Sequence, residues 1–180
     1  MVWVPRAGIP KTDRPHTGRA LMLFTAKTEI DAPLAVVMTA LTDFEAWERA
    51  AMRRGAEVAR ADAMQSPGPG MVWDVAFPFR GKTRQVDLKL VALDAGGKMG
   101  FAGAGKAFDG DMEVDLVPLA PGRTRLLVKA DVRPLTLGSR LMLQSLKLAR
   151  GKVQDKLDQR LAQFARDIEA RQGSAARGLR

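Results

Sequence analysis

The hydrophobic positions in the C-terminal quarter of the chain repeat with the period of an α-helix. From Leu141 to Gln172, apolar residues follow one another at steps of three or four, the spacing that places side chains on one helical face. They are Met142, Leu146, Ala149, Val153, Leu157, Leu161, Phe164 and Ile168. The pattern predicts one uninterrupted amphipathic helix of about 48 Å. A helix of that length needs a broad apolar surface to cover it.

Upstream of this helix, the chain begins with a strand and two short helices. Residues 20–30 alternate between apolar and polar, which is typical of a strand. Asp31 and Pro33 then predict a helix start, with Asp31 as the cap and Pro33 in the first turn. Asp43 predicts the cap of a second helix, whose buried face includes Phe44 and Trp47.

Between residues 56 and 132 the hydrophobic period changes to two, which predicts six strands. Short glycine-containing turns separate them, so successive strands are expected to be antiparallel neighbours. One face of the sheet is apolar and the other largely charged, so the sheet needs a cover on one side only. The terminal helix is the element long enough to provide it. The order of elements predicts an α+β fold.

The domain organisation follows from the same patterns. Residues 1–19 contain three prolines and are expected to form an extended or disordered N-terminal arm. Residues 20–172 form the domain, and residues 173–180 a flexible basic tail. No apolar segment is long enough to span a membrane, and the N-terminus lacks the apolar core of a secretory signal. A cytoplasmic location is the expectation.

The net charge of +9 is concentrated near the C-terminus, where residues 133–180 carry 11 basic and four acidic side chains. A weak contact between the basic C-terminal helix and an anionic membrane would explain this charge. A solvated outer helix face is the favoured alternative, since charge runs are common on exposed helices. Nucleic acid is not a favoured partner, and the oligomeric state is left open.

Three stretches of sequence point to a known family. Residues 29–33 (EIDAP) lead from the first strand into the first helix, residues 43–47 (DFEAW) match a D-x-x-x-W second helix, and the terminal helix is leucine-rich. Their order and spacing resemble the START-like, or SRPBCC, superfamily, in its polyketide cyclase/dehydrase and lipid transport group. The resemblance implies a helix-grip fold, with a seven-stranded antiparallel sheet wrapped around the long C-terminal helix. It also implies a hydrophobic cavity between them.

Apart from Lys82 and Arg84, which follow Gly81 at the expected rim, the inward-facing strand positions contain no ionisable residue. Hydrolysis, cyclisation and dehydration need a positioned acid or base. The chain has no cysteine or tyrosine, and its one histidine, His16, lies in the arm. No catalytic residue, metal site or cofactor is therefore predicted. The leading hypothesis is a protein that binds a hydrophobic small molecule or lipid without catalysis. The expected cavity residues are Trp47, Trp73, Val75, Phe77, Leu88, Leu90, Phe101, Phe108, Met112, Leu126, Val128, Met142, Leu146 and Val153.

Two further features complete the predicted site. Arg84 is in phase with the inward face and is the candidate anchor for a polar ligand head. The loop before the terminal helix is a candidate gate, formed by Pro134, Leu135, Leu137 and Gly138. Solvent exposure of Arg84 and plain core packing of the loop leucines are the alternatives.

An enzyme is the second functional hypothesis. A cyclase or dehydratase acting on an aromatic or apolar substrate would need an ionisable group in the cavity, and Arg84, Arg60 and Asp62 are the candidates. The acidic row at Asp109, Asp111, Glu113 and Asp115 could bind a cation. Pairing with Arg123, Arg125 and Lys129 on the next strand is favoured, because both rows face the outer surface.

Overall fold

The computed structural model describes residues 22–177, and the predicted arm at residues 1–19 lies outside this range. Seven strands and four helices follow one another along the chain. In order they are β1 (Met22–Ile30), α1 (Leu34–Thr42), α2 (Phe44–Met52), β2 (Glu57–Arg60), β3 (Val72–Phe79), β4 (Lys82–Leu93), β5 (Lys98–Gly105), β6 (Phe108–Ala120), β7 (Arg123–Pro134), α3 (Leu137–Leu148) and α4 (Arg150–Arg177). The predicted α+β class is confirmed.

The seven strands form one antiparallel sheet in the order β1-β7-β6-β5-β4-β3-β2. Each strand from β2 to β7 pairs with its neighbour in sequence, as the short turns predict, and β1 pairs with β7. The β3–β4 hairpin turns at Arg80 and Gly81, whose φ angles are 51° and 72°. Two successive positive φ values suit the twist of a tight hairpin.

The sheet register places one apolar row of side chains on the inner face. Leu116 lies opposite Leu126, and Val114 lies opposite Val128. These four residues are buried together with Ile30, Val37, Phe44, Trp73, Leu90, Leu161 and Ile168. One end of the sheet therefore closes over a core shared with α1, α2 and the C-terminal half of α4.

α4 also covers the edge of the sheet at β1. The side chains of Arg150 and Gln154 donate hydrogen bonds to the carbonyl oxygens of Leu23 (3.3 Å) and Thr25 (2.8 Å). Side-chain donors thus occupy backbone acceptors that an exposed edge strand would offer to another chain.

The prediction of one uninterrupted terminal helix is wrong. The chain is helical from Leu137, breaks at Ala149 and resumes at Arg150. The N–H of Ala149 donates to the carbonyls of Leu146 and Lys147, so the first helix ends in a tightened turn. Thr136 caps α3 by accepting from the N–H of Ser139 at 3.1 Å. The hydrophobic period did not reveal this break, because the apolar steps of three and four continue through it.

Two helix ends also differ from expectation. Asp31 does not cap α1, whose N-cap is Pro33; instead the backbone N–H of Asp31 donates to the Glu169 carboxylate at 3.0 Å. Asp43 does cap α2, by accepting from the N–H of Ala46. At the other terminus, α4 continues to Arg177, past the predicted start of the flexible tail.

Ion pairs link neighbouring strands on the outer face of the sheet, but the paired residues differ from those predicted. Asp109 and Asp111 accept from Arg133, at 2.8 and 2.6 Å. Arg123 and Arg125 both pair with Glu29 on β1. Asp109 and Asp111 therefore pair with β7, but through Arg133 and not through the predicted arginines, which pair with β1 instead.

Candidate ligand-binding site

The inner face of the sheet has a closed end, where its side chains are buried, and an open end, where they are partly exposed. Trp73, Leu90, Phe101, Leu126 and Val128 are buried in the core. The other strand residues predicted for the cavity are partly exposed: Val75, Phe77, Leu88, Phe108 and Met112. Val75, Leu88 and Met112 pack against the core cluster, and the open end begins beyond them.

The helix α3 lies across this open end. It begins next to the end of β7 and reaches the β3–β4 hairpin, where Arg80 Nη1 donates to Ser145 Oγ at 2.8 Å. Before the helix, the N–H of Leu135 donates to the carbonyl of Ala107 in the β5–β6 turn, at 2.9 Å. The inward side of α3 includes Leu143, which is buried, and Met142, which is partly exposed. α3 is thus placed as a cover over the inner face.

Arg84 on β4 is a second charged side chain that contacts α3. Its partner on β3 is Phe77, which fixes Arg84 on the inner face. Arg84 Nη2 lies 3.9 Å from Met142 Sδ, a weak acceptor. Among the described atoms, the buried Nε of Arg84 has no hydrogen-bond partner. A buried donor without an acceptor is costly, and an acceptor group on a ligand would satisfy it.

A second polar group lies at the opposite, closed end. Arg60 pairs with Trp73 in the sheet register and forms a two-bond contact with Asp62, at 3.0 and 2.6 Å. Trp73 Nε1 donates to Glu48 at 2.6 Å, and Arg60 lies 4.0 Å from the same carboxylate. These partners satisfy one another, so the cluster ties α2 to β2 and β3.

The charge of Asp62 is strongly held by this cluster. The hydrogen bonds from Arg60, aided by the backbone N–H groups of Val72 and Met64, lower the pKa of Asp62 to about 2. A carboxylate so stabilised is a poor general base. Of the three ionisable candidates for an enzyme, Arg60 and Asp62 are therefore occupied, and Arg84 is the one with an unpartnered nitrogen.

The structure separates some of the residues predicted to share one cavity. Trp47 is 42% exposed and packs on Phe164 of α4, with ring centroids 5.3 Å apart. Met142, Leu146 and Val153 are partly exposed along α3 and the start of α4. Trp47 therefore lies with the closed half, whereas the helix residues extend along the open half.

The predicted gate loop is shorter than expected. Pro134 is the last residue of β7, while Leu137 and Gly138 form the first turn of α3. Only Leu135 and Thr136 connect the two elements. The apolar residues assigned to a loop are mostly part of the covering helix, a placement that the Thr136–Ser139 capping pattern could have indicated.

Two surface grooves lie away from the inner face. One of about 580 Å³ runs between α1 and the end of α4, where Val36, Ala40, Ile168 and Arg171 are among its lining residues. The other, of about 180 Å³, lies beside α2 and the loop after β2. Neither coincides with the predicted cavity residues, so the cavity assignment rests on the open inner face alone.

Comparisons with known proteins agree with this architecture. The sequence profile of the family "Polyketide cyclase / dehydrase and lipid transport" matches residues 23–169. No individually curated protein matches the sequence.

Within the described residues, no helix is both long enough and apolar enough to cross a membrane.

Several solved structures share the fold at low sequence identity. The Zhui aromatase/cyclase from Streptomyces sp. R1128 is 15% identical, with a TM-score of 0.62 over 84% of this chain and 96% of that one. TTHA0849 from Thermus thermophilus is 15% identical, with a TM-score of 0.63 over 82% and 97%. Norcoclaurine synthase from Thalictrum flavum, in complex with dopamine and hydroxybenzaldehyde, is 12% identical, with a TM-score of 0.54 over 82% and 94%. At these identities the likeness shows the helix-grip fold alone.

Proposed function

Because the chain belongs to the polyketide cyclase/dehydrase and lipid transport family, we propose that it binds a hydrophobic small molecule or lipid on its inner face without catalysis. The ligand lies between the open half of the sheet and α3. Arg84 binds its polar or anionic end. The unpartnered, buried Nε of Arg84 is the observation that carries this proposal.

The apolar part of the ligand would be held by burial. Phe77, Phe108 and Met112 leave part of their apolar surface accessible on the inner face. Covering apolar surface stabilises a complex by roughly 25 cal/mol per Å². Side chains of this kind, with a few polar groups for orientation, are typical of small-molecule sites.

The polar end would be selected by Arg84. A guanidinium offers donors in a fixed planar arrangement that matches a carboxylate or phosphate. In this protein one such donor is already dehydrated and unsatisfied, so an anionic head restores a hydrogen bond at no further desolvation of Nε. An amphiphile with an acidic head therefore fits better than an uncharged one.

A cyclase-type enzyme acting on an aromatic or apolar substrate is the alternative. Two of the structural neighbours are named as a cyclase and a synthase. Arg84 is the group that favours it, because a guanidinium can stabilise negative charge on a substrate oxygen. An acid or base within reach of the same ligand would also be needed.

The test compares a fatty acid with the fatty alcohol of equal chain length. Binding to the full-length protein is measured by displacement of a fluorescent apolar probe and by native mass spectrometry. Arg84→Met is expected to weaken the acid about tenfold, the effect of roughly 1.4 kcal/mol, and to leave the alcohol unchanged. Lys82→Met is the matched control, because Lys82 is exposed on the same strand and the same face.

A second variant tests the apolar part of the site. Met112→Trp fills the inner face and should weaken the acid and the alcohol together. Failure of the unmodified protein to bind either molecule would overturn the proposal. Recovery of bound molecules with a changed mass after incubation would instead support the cyclase alternative.

A further inference from the structure

The outer side of α3 carries a row of exposed leucines. Leu137, Leu141 and Leu148 are 77%, 67% and 93% exposed. At 100° per residue these positions fall within an arc of about 40°. Leu135, just before the helix, is half exposed and extends the row. Scattered exposed leucines are ordinary, whereas leucines aligned on one helix face mark an interaction surface. The exposed Gln144 lies between Leu141 and Leu148 on this face.

The chain segment that carries this leucine row has basic residues and no acidic one. From Val132 to Gln154 the chain contains five basic residues and no acidic one. They are Arg133, which is paired with carboxylates on the sheet, and Arg140, Lys147, Arg150 and Lys152. Arg140 and Lys147 are exposed, and their helical positions place them together along one side of the leucine row. Apolar side chains flanked by exposed cations are typical of helices that lie in the surface of an anionic bilayer.

We propose that α3 docks on an anionic lipid membrane, with the leucine row in the acyl boundary and the flanking cations among the headgroups. The membrane would then lie against the cover of the inner face. Because α3 contacts Arg84 through Met142, which lies about 100° or more around the helix from the leucines, docking would place the open end of the sheet next to lipid. The docking surface does not depend on the ligand proposed above, since the leucines point away from the inner face.

A second copy of this chain fits the surface less well. A stable protein interface buries about 800 Å² per partner, more than a single row of leucines offers. Two copies meeting through α3 would also bring two clusters of like charge together, which opposes association.

The experiment measures co-sedimentation of the full-length protein with vesicles. Vesicles of phosphatidylcholine mixed with phosphatidylglycerol are compared with vesicles of phosphatidylcholine alone. We expect binding to the anionic vesicles, little binding to the neutral ones, and weaker binding at high salt. The double variant Leu137→Ser/Leu148→Ser should weaken partitioning at least about tenfold, since two buried leucines are lost.

Matched controls distinguish docking through α3 from non-specific binding to vesicles. Val117→Ser/Leu119→Ser changes two exposed apolar residues on β6 and should leave vesicle binding unchanged. Arg140→Gln/Lys147→Gln should weaken anionic binding about tenfold. The same change at the exposed pair Arg53 and Arg54 should have little effect. Thermal unfolding of each variant confirms that it is folded.

Several results would overturn the membrane assignment. They are an absence of vesicle binding, equal binding to both kinds of vesicle, and unchanged binding of the leucine variant. A lipid-free dimer abolished by Leu137→Ser/Leu148→Ser would assign the row to a second copy instead. Tight binding to duplex RNA that ignores the leucine changes would assign the basic stretch to nucleic acid.

Discussion

Arg84 Nη2 on β4 lies 3.9 Å from Met142 Sδ on α3, and this contact joins the sheet to its covering helix. A thioether is a weak acceptor, and Nε of the same guanidinium has no partner within the described structure. Arg133, by contrast, faces three carboxylates, those of Asp109, Asp111 and Asp131. The two arginines therefore differ in what their charge contributes to the fold.

Replacing Arg84 should cost little or nothing in stability. Arg84→Met removes an unsatisfied buried donor and keeps the apolar stem, so the free energy of unfolding should stay equal or rise by up to about 1 kcal/mol. Urea denaturation measures it. Arg133→Met is the contrast, because it strands carboxylates, and it should lower the free energy by about 1–3 kcal/mol. If both variants lowered the free energy of unfolding equally, Arg84 would have hydrogen-bond partners in the folded protein.

The fold is largely predictable from this sequence because its signals are redundant. Strand alternation, the glycine turns and the cap at Asp43 all indicate the same order of elements, and the structure confirms it. The break at Ala149 could not be predicted from the apolar period, since the inward positions keep their spacing across it. It depends instead on tertiary contacts that hold α3 at the open end, such as the bond between Arg80 and Ser145.

The candidate site is less predictable for a different reason. Alternation tells which face a residue occupies, and Arg84 and Phe77, which are register partners, share a face of the sheet. It does not tell how far along the sheet the core closes, so Trp47 and the open-end residues received the same assignment. The hydrophobic class of ligand and the cytoplasmic location stay predictions.

Stability should fall in acid because of Asp62. Arg60 holds the pKa of Asp62 near 2, below the ordinary 3.8. A lowered pKa stabilises the folded state above pH 4, and that contribution is lost as the pH falls from 4 towards 2. The loss is at most about 2 kcal/mol. Measured between pH 5 and pH 2, the free energy of unfolding should therefore decrease as the pH falls, and we call this decrease the acid slope.

A variant isolates the carboxylate responsible for that slope. Asp62→Asn should be less stable than the unmodified protein at pH 7 and lack this part of the acid slope. Glu57→Gln, at an exposed position on the preceding strand β2, serves as the control. A slope in Asp62→Asn as steep as in the unmodified protein would assign the acid sensitivity to other carboxylates.

Asp131 should behave in the opposite way. Burial raises the pKa of Asp131 against the lowering effect of Arg133, and the neighbouring Asp111 adds to the rise. A raised pKa means that the charged form costs stability at neutral pH, a cost that disappears as the pH falls below the unfolded pKa. Asp131→Asn should therefore stabilise the protein at pH 7, by less than about 1 kcal/mol. Asp109→Asn, which loses the 2.8 Å bond to Arg133, should destabilise it.

Two glycines offer a matched test of where the backbone has room. A Cβ added at Gly151, near the start of α4, meets nothing within 4 Å, whereas one at Gly110 on β6 lies 2.2 Å from the carbonyl oxygen of Asp131. Gly151→Ala should therefore raise the free energy of unfolding by up to about 1 kcal/mol, because alanine is the better helix former. Gly110→Ala should lower it, since the clash is with backbone and β6 must shift from β7. Thermal and urea unfolding measure both, and a destabilised Gly151→Ala would show that the interruption between α3 and α4 requires glycine beside it.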